Sequence, residues 1–168
     1  MKSLFQFIST GLVCLAIFSF FAYISCTNKC GSTTCQNGGT CSNNTCVCPT
    51  GYSGNSCQTA WSNEFIGTYN CSRSNCSPAV SGSNAWQSAV TKSATNGGYT
   101  INISNFDNSN TTQVATVDSA GNLKITPVAG AYGVSATGAF APGKININFT
   151  TYVTGGVLYH CDMTMVKM

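Results

Sequence analysis

The chain has 168 residues, only 7% of them charged, and a formal charge of +3 that falls by one if Lys2 leaves with a signal. So small an excess cannot recruit nucleic acid or an acidic membrane by counterion release, which excludes a nucleic-acid role. Eleven cysteines persist as disulfides only in an oxidising compartment, and short runs of Tyr, Phe, Ile and Val among uncharged polar residues describe an extracellular all-β protein.

Residues 1–25 combine Lys2 with an apolar core that runs from Leu12 to Ile24. This pattern predicts a secretory signal peptide too short for a comfortable membrane span, with a signal anchor as the rival reading. Signal peptidase I wants small residues at the last and third-last positions, and a cut before Cys26 puts Ser25 and the bulky Tyr23 there. The stretch "YISC" instead resembles a bacterial lipobox, with Tyr23 in place of the usual Leu, Val or Ile. That resemblance implies lipidation of Cys26, a short tether over 26–29, and membrane attachment at the outer membrane or cell surface, since Thr27 rather than Asp follows. Plain secretion is the alternative. Cysteine parity pulls against the anchor: without Cys14 ten cysteines remain, and lipidating Cys26 leaves an odd thiol, tolerable only where it is buried.

Six cysteines lie between Cys30 and Cys57, spaced C-x4-C-x5-C-x4-C-x-C-x8-C. The large side chains here are Val47 and Tyr52, too few to offset the chain entropy by burial. Covalent closure must supply the difference, at about 2–3 kcal/mol for each loop of about ten residues. Spacing alone leaves the connectivity open. Zinc is not expected, because paired C-x2-C knuckles are missing. "QNGGTC" followed by "CVCPTGYSGNSC" resembles an epidermal-growth-factor-like (EGF-like) module across the whole of 30–57. The resemblance implies the pairs Cys30–Cys41, Cys35–Cys46 and Cys48–Cys57. Calcium-binding members of that family carry acidic residues before the first cysteine, whereas "TNK" stands here and only Ser42 to Thr45 separate Cys41 from Cys46. Neither calcium nor any other metal site is therefore expected. The same short loop cannot form the hairpin of receptor-activating growth factors. Thr40 fits the family's O-fucose acceptor position, which would matter in a eukaryotic matrix protein.

Residues 58–62 read as a linker and 63–168 as the larger domain. Period-2 alternation places Tyr99, Ile101 and Ile103 on one face, then Ile145, Ile147 and Phe149, then Val157, Tyr159, Cys161, Met163 and Met165. Further strands are predicted over 64–70, 112–118, 122–126 and 134–140, with turns at "DNSN", "DSAGN", "APGK" and "TGG". Seven or eight short strands predict an antiparallel up-and-down barrel, with a β-sandwich as the alternative. "FIGTY" resembles the first-strand signature of lipocalin-like barrels, and the order of the two parts resembles predicted surface lipoproteins of the Bacteroidetes type. If the first and last strands pair with Phe65 opposite Lys167, Cys71 falls opposite Cys161. Cys76 is the equal candidate partner of Cys161, and a local Cys71–Cys76 bridge is the third.

An enzyme would have to draw on Glu64, Asp107, Asp118, Asp162 and His160. His160 and Asp162 share a strand face and could orient a base. With no Gly-x-Ser-x-Gly, metal or phosphate motif beside them, they read as an exposed polar face, and no catalytic residue or cofactor is expected. Alternation sends Cys161 to the opposite face, so the three form no thiol triad. Sequons at Asn43, Asn70, Asn75, Asn102, Asn110 and Asn148 are what an Asn- and Thr-rich chain yields by chance. Trp61, Trp86, Tyr99 and Tyr132 read as core or turn packing rather than as a ligand site. The function expected is non-enzymatic binding or adhesion at a surface, with another surface protein or a glycan as partner. The alternative is a carrier that holds a small apolar ligand inside the barrel.

Overall fold

The computed structural model describes residues 29–96, 98–127, 132–153 and 156–168. The predicted signal, Cys14, Cys26 and the tether before Lys29 lie outside the described residues, as do the side chains of Tyr132 and Val157.

Three two-stranded ladders make up the disulfide-rich N-terminal region. Strand β1 (Lys29–Cys30) pairs with β2 (Thr33–Thr34), β3 (Thr40–Ser42) with β4 (Thr45–Val47), and β5 (Tyr52–Ser53) with β6 (Thr59–Ala60). Strands this short hold no shape alone. Disulfides Cys30–Cys41, Cys35–Cys46 and Cys48–Cys57 close loops of 11, 11 and 9 residues around them. Cys57 is fully buried, and its carbonyl accepts from Asn37 Nδ2 at 2.7 Å. Residues 58–62, expected as a linker, are ordered. Thr59 and Ala60 form β6, and Trp61–Glu64 continue as a 3-10 helix.

Eight antiparallel strands then follow one another and close into a barrel: β7 (Gly67–Ser77), β8 (Ala85–Lys92), β9 (Thr100–Phe106), β10 (Thr111–Val117), β11 (Asn122–Ile125), β12 (Tyr132–Ala141), β13 (Lys144–Val153) and β14 (Gly156–Lys167). Closure of β14 onto β7 leaves no unpaired edge between first and last strands. Strand β8 is the one that alternation in the sequence does not reveal. Its inward positions are Trp86, Ser88 and Val90, so a hydroxyl interrupts the apolar period. Strand β7 begins at Gly67 rather than Glu64, because the 3-10 helix occupies the residues before it.

The interior is filled with side chains. Phe65, Tyr69, Phe106, Phe149, Ile101, Ile103, Ile145, Met163 and Met165 are all 0–1% exposed. Phe106 meets Phe149 edge-on at 5.2 Å between ring centroids, and Tyr69 donates its hydroxyl to the Phe65 carbonyl at 2.7 Å.

Closure occurs in a different register from the one expected. Lys167 faces Tyr69 and not Phe65, which carries Cys71 opposite Met165. The register then slips by one between His160 and Asp162, where Asn75 adopts a left-handed φ of 51°. An extra residue on one strand switches the side-chain parity beyond it. Arg73, ahead of the bulge, keeps the inward parity of Tyr69 and Cys71 at 8% exposed, Ser74 and Asn75 then both point out, and Cys76 turns back in to bond Cys161. Cys76, not Cys71, is the partner of Cys161, and Cys71 remains a buried thiol.

Each barrel end is closed differently. At the near end the disulfide-rich region docks. Trp61 N–H donates to the Gly51 carbonyl and Ser62 N–H to the Gly98 carbonyl, both at 3.0 Å. Both glycines are required by that approach: a Cβ on Gly51 would lie 2.8 Å from the Tyr99 ring and one on Gly98 2.7 Å from the Tyr52 ring. At the far end a polar plug closes the barrel, centred on Arg73 and Asp107.

Candidate functional site

Two polar clusters stand out, one inside the barrel and one outside. The inner cluster begins with Arg73, which the local parity of β7 points into the far end of the barrel. Its Nη1 bonds Asp107 Oδ1 at 2.8 Å, with both side chains at most 5% exposed. Nη2 donates to the Ser83 carbonyl at 3.2 Å, and the guanidinium lies 5.7 Å from the Trp86 ring centroid. Tyr159 donates its hydroxyl to the other Asp107 oxygen. A buried ion pair needs such additional bonds to offset its desolvation, and this one has them. Trp86 and Tyr159 thus serve as packing and plug. Arg73 carried no motif and lies beyond the strand predicted over 64–70, although it continues the inward parity of Tyr69 and Cys71.

The outer cluster spans three adjacent strands. Asp162 on β14 accepts from Asn148 Nδ2 on β13 and from Asn75 Nδ2 on β7, each at 2.8 Å. Asn148 Nδ2 also contacts His160 Nε2 at 3.1 Å, and His160 Nδ1 contacts Thr150 Oγ1 at 3.1 Å. Since an amide nitrogen only donates, His160 Nε2 is the acceptor and the ring proton sits on Nδ1, directed at Thr150. The donated bonds from Asn75 and then Asn148 hold the Asp162 carboxyl below the usual carboxylate range. His160 and Asp162, read from the sequence as one face, do share it, but Asn148 stands between them and they make no direct base–orienter pair.

This cluster borders a shallow groove of about 500 Å³ over β7, β12, β13 and β14, lined by Ser74, Thr137, Asn146, Asn148, Asp162 and Thr164. Tyr152, 37% exposed, points outward two positions beyond Thr150 on the same strand. Directly beneath, on the inner face, the Cys76–Cys161 disulfide joins the residues that flank Asn75, His160 and Asp162, which fixes the groove floor covalently.

The remaining acidic groups lie elsewhere. Asp118 caps its own turn by accepting from Ala120 N, Asn122 N and Asn122 Nδ2, and the Asn122 bonds lower its pKa. Glu64 sits on the 3-10 helix at the near end, and Asp107 is locked in the inner plug. The sulfurs of Cys30, Cys35 and Cys46 lie within 4.8 Å of one another, but disulfides already consume all three. Burial pushes the Cys71 thiol up, against a hydrogen bond from Ser88 that lowers it, so Cys71 is a poor nucleophile. A second depression of about 460 Å³ lies along β10, β11 and β12, lined among others by Thr116, Asp118, Lys124 and Thr137.

Four disulfides among the described residues mark an extracellular or exported protein. The closed eight-stranded barrel is consistent with a binding role. No protein-family model matches the chain, and no curated protein or solved structure matches it.

Proposed function

We propose that the protein is a non-enzymatic, surface-anchored binding lipoprotein in which an EGF-like module, fixed to one end of a lipocalin-like barrel, presents that barrel to a partner outside the cell. The observation that carries the anchor is the fate of the cysteines. Eight of the described cysteines pair with one another, and the ninth, Cys71, is enclosed in the barrel at 2% exposed. Once Cys14 leaves with the signal, the odd cysteine that lipidation of Cys26 creates is Cys71, the buried one. Parity therefore ceases to oppose lipidation.

The outer surface is favoured over the interior as the working surface because large side chains occupy the barrel interior. Wide scatter of Glu64, Asp107, Asp118 and Asp162 favours binding over catalysis, since hydrolytic or acyl-transfer chemistry needs two such groups converging on one reacting atom. Docking through Gly51 and Gly98 makes the EGF-like module a stiff extension of the barrel rather than a loose stalk.

Intact mass of the native mature protein tests the anchor. A chain beginning at Cys26 with diacyl or triacyl mass and four disulfides is expected. An unmodified chain with a free Cys26 thiol would sink the proposal.

A further inference from the structure

We infer that the outer groove over β7, β12, β13 and β14 binds a neutral oligosaccharide. This rests on the reading of the barrel as a binding domain and names its ligand class. Four observations carry it.

The groove presents fixed donors and acceptors in alternation. Each Asp162 oxygen accepts one amide N–H, from Asn148 or Asn75, and retains a lone pair for a ligand hydroxyl. Asn148 spends both amide hydrogens on Asp162 and His160, which orients its carbonyl oxygen as a further acceptor, while Thr164 and Asn146 are joined at 3.3 Å beside them. Vicinal sugar hydroxyls both donate and accept, and such an array meets them with few side chains left to freeze.

Charge narrows the class. Among the groove residues Asp162 is the one charged group, and nothing basic lines the depression. A sulfated, phosphorylated or sialylated ligand would meet an unopposed carboxylate. A metal cation would find that carboxylate already facing two amide N–H groups rather than oxygen ligands.

An exposed aromatic ring lies on the same strand, beyond the Asn148 end of the groove and outside its lining. Tyr152 follows Asn148 by four positions on the same face of β13, about 13 Å at the usual strand rise. That separation suits a di- or trisaccharide, hydrogen-bonded at one end and stacked through its C–H face on the ring at the other.

Finally, the site is built rather than incidental. The left-handed Asn75 aims its amide at Asp162, and the adjacent Cys76 is bonded through the sheet to Cys161, between His160 and Asp162.

The test uses the full mature chain on an array of neutral oligosaccharides with acidic glycans as controls, followed by calorimetric titration of the neutral binders. Neutral glycans are expected to bind and acidic ones not to. D162N should weaken binding about tenfold, the loss of hydrogen bonds to a charged acceptor. Y152A should weaken it similarly through lost stacking, and V114A, on β10 two strands beyond the groove's edge at β12, should leave it unchanged. Near-UV circular dichroism identical to wild type establishes that these exposed substitutions leave the fold intact. Wild-type affinity in both D162N and Y152A, preference for acidic glycans, or binding to no neutral glycan overturns the inference. A lipidated chain that binds no neutral glycan defeats this inference alone. An unlipidated chain that binds through Asp162 and Tyr152 supports it while defeating the anchor.

Discussion

The two halves of this molecule are held together by opposite means. Residues 30–57 bury Cys30, Cys35 and Cys57 and expose Val47 at 55%, so three disulfides stand in for a core. The barrel buries aromatic and aliphatic side chains from every strand and uses one disulfide, placed where the ladder is irregular. Covalent closure is the solution where there is too little apolar surface, and in the barrel it serves geometry at one site.

Reduction should break this comparison most strongly. Losing three loops worth about 3 kcal/mol each should unfold residues 30–57 completely. The barrel, losing one 85-residue loop worth about 4–5 kcal/mol by the same entropy relation, should keep its sheet while melting at a lower temperature. Amide chemical shifts recorded before and after reduction would show collapse confined to the N-terminal region. Simultaneous loss of both would mean that the barrel also depends on its bridge.

Next in size is the inner plug. Asp107→Ala leaves Arg73 charged, buried and unpaired, and should cost about 3–5 kcal/mol in urea unfolding. A cost under 1 kcal/mol would show that the guanidinium escapes to solvent. For comparison, Val47→Thr in the disulfide-rich region should change stability by less than about 0.5 kcal/mol.

Two buried groups on β7 sharpen the contrast through pH and reactivity. Tyr69 is pushed up to about 12 from 10.0, by burial first and by Cys71 second. A raised pKa means that the neutral phenol stabilises the fold fully below pH 10. That contribution should be lost as pH rises from 10 towards 12, and Tyr69→Phe should remove the dependence from melting curves. Cys71 should resist iodoacetamide in the folded protein at pH 8 and react once the barrel is unfolded.

The smallest expected effect lies at the outer cluster. Asp162 has a lowered pKa, so it stabilises the fold above the ordinary carboxylate range and loses that contribution as pH falls through the depressed value. Asp162→Asn should flatten the acid limb of the stability profile slightly and leave neutral-pH stability near wild type.

Much of this architecture was legible in the chain. The family resemblance of residues 30–57 implied the three N-terminal bridges, which spacing alone left open, and alternation in 144–168 placed Ile145, Ile147, Phe149, Cys161, Met163 and Met165 on the inner face, where all are buried. The candidate site was half legible. His160 and Asp162 share a face by parity alone, but Asn75 and Asn148 reach them only through neighbouring strands.

Local pattern decided what most segments are, β8 and 58–62 excepted, because strand period, turn residues and cysteine spacing act over a few positions. Tertiary structure decided the register. Closing β14 onto β7 sets Cys71 opposite Met165, and the left-handed Asn75 shifts the ladder by one. That single residue brings Cys76 to Cys161 inside and Asn75 to Asp162 outside. Neither choice is encoded by alternation, since a one-residue slip reverses every side chain beyond it, and the packing of the whole barrel selects among the slips.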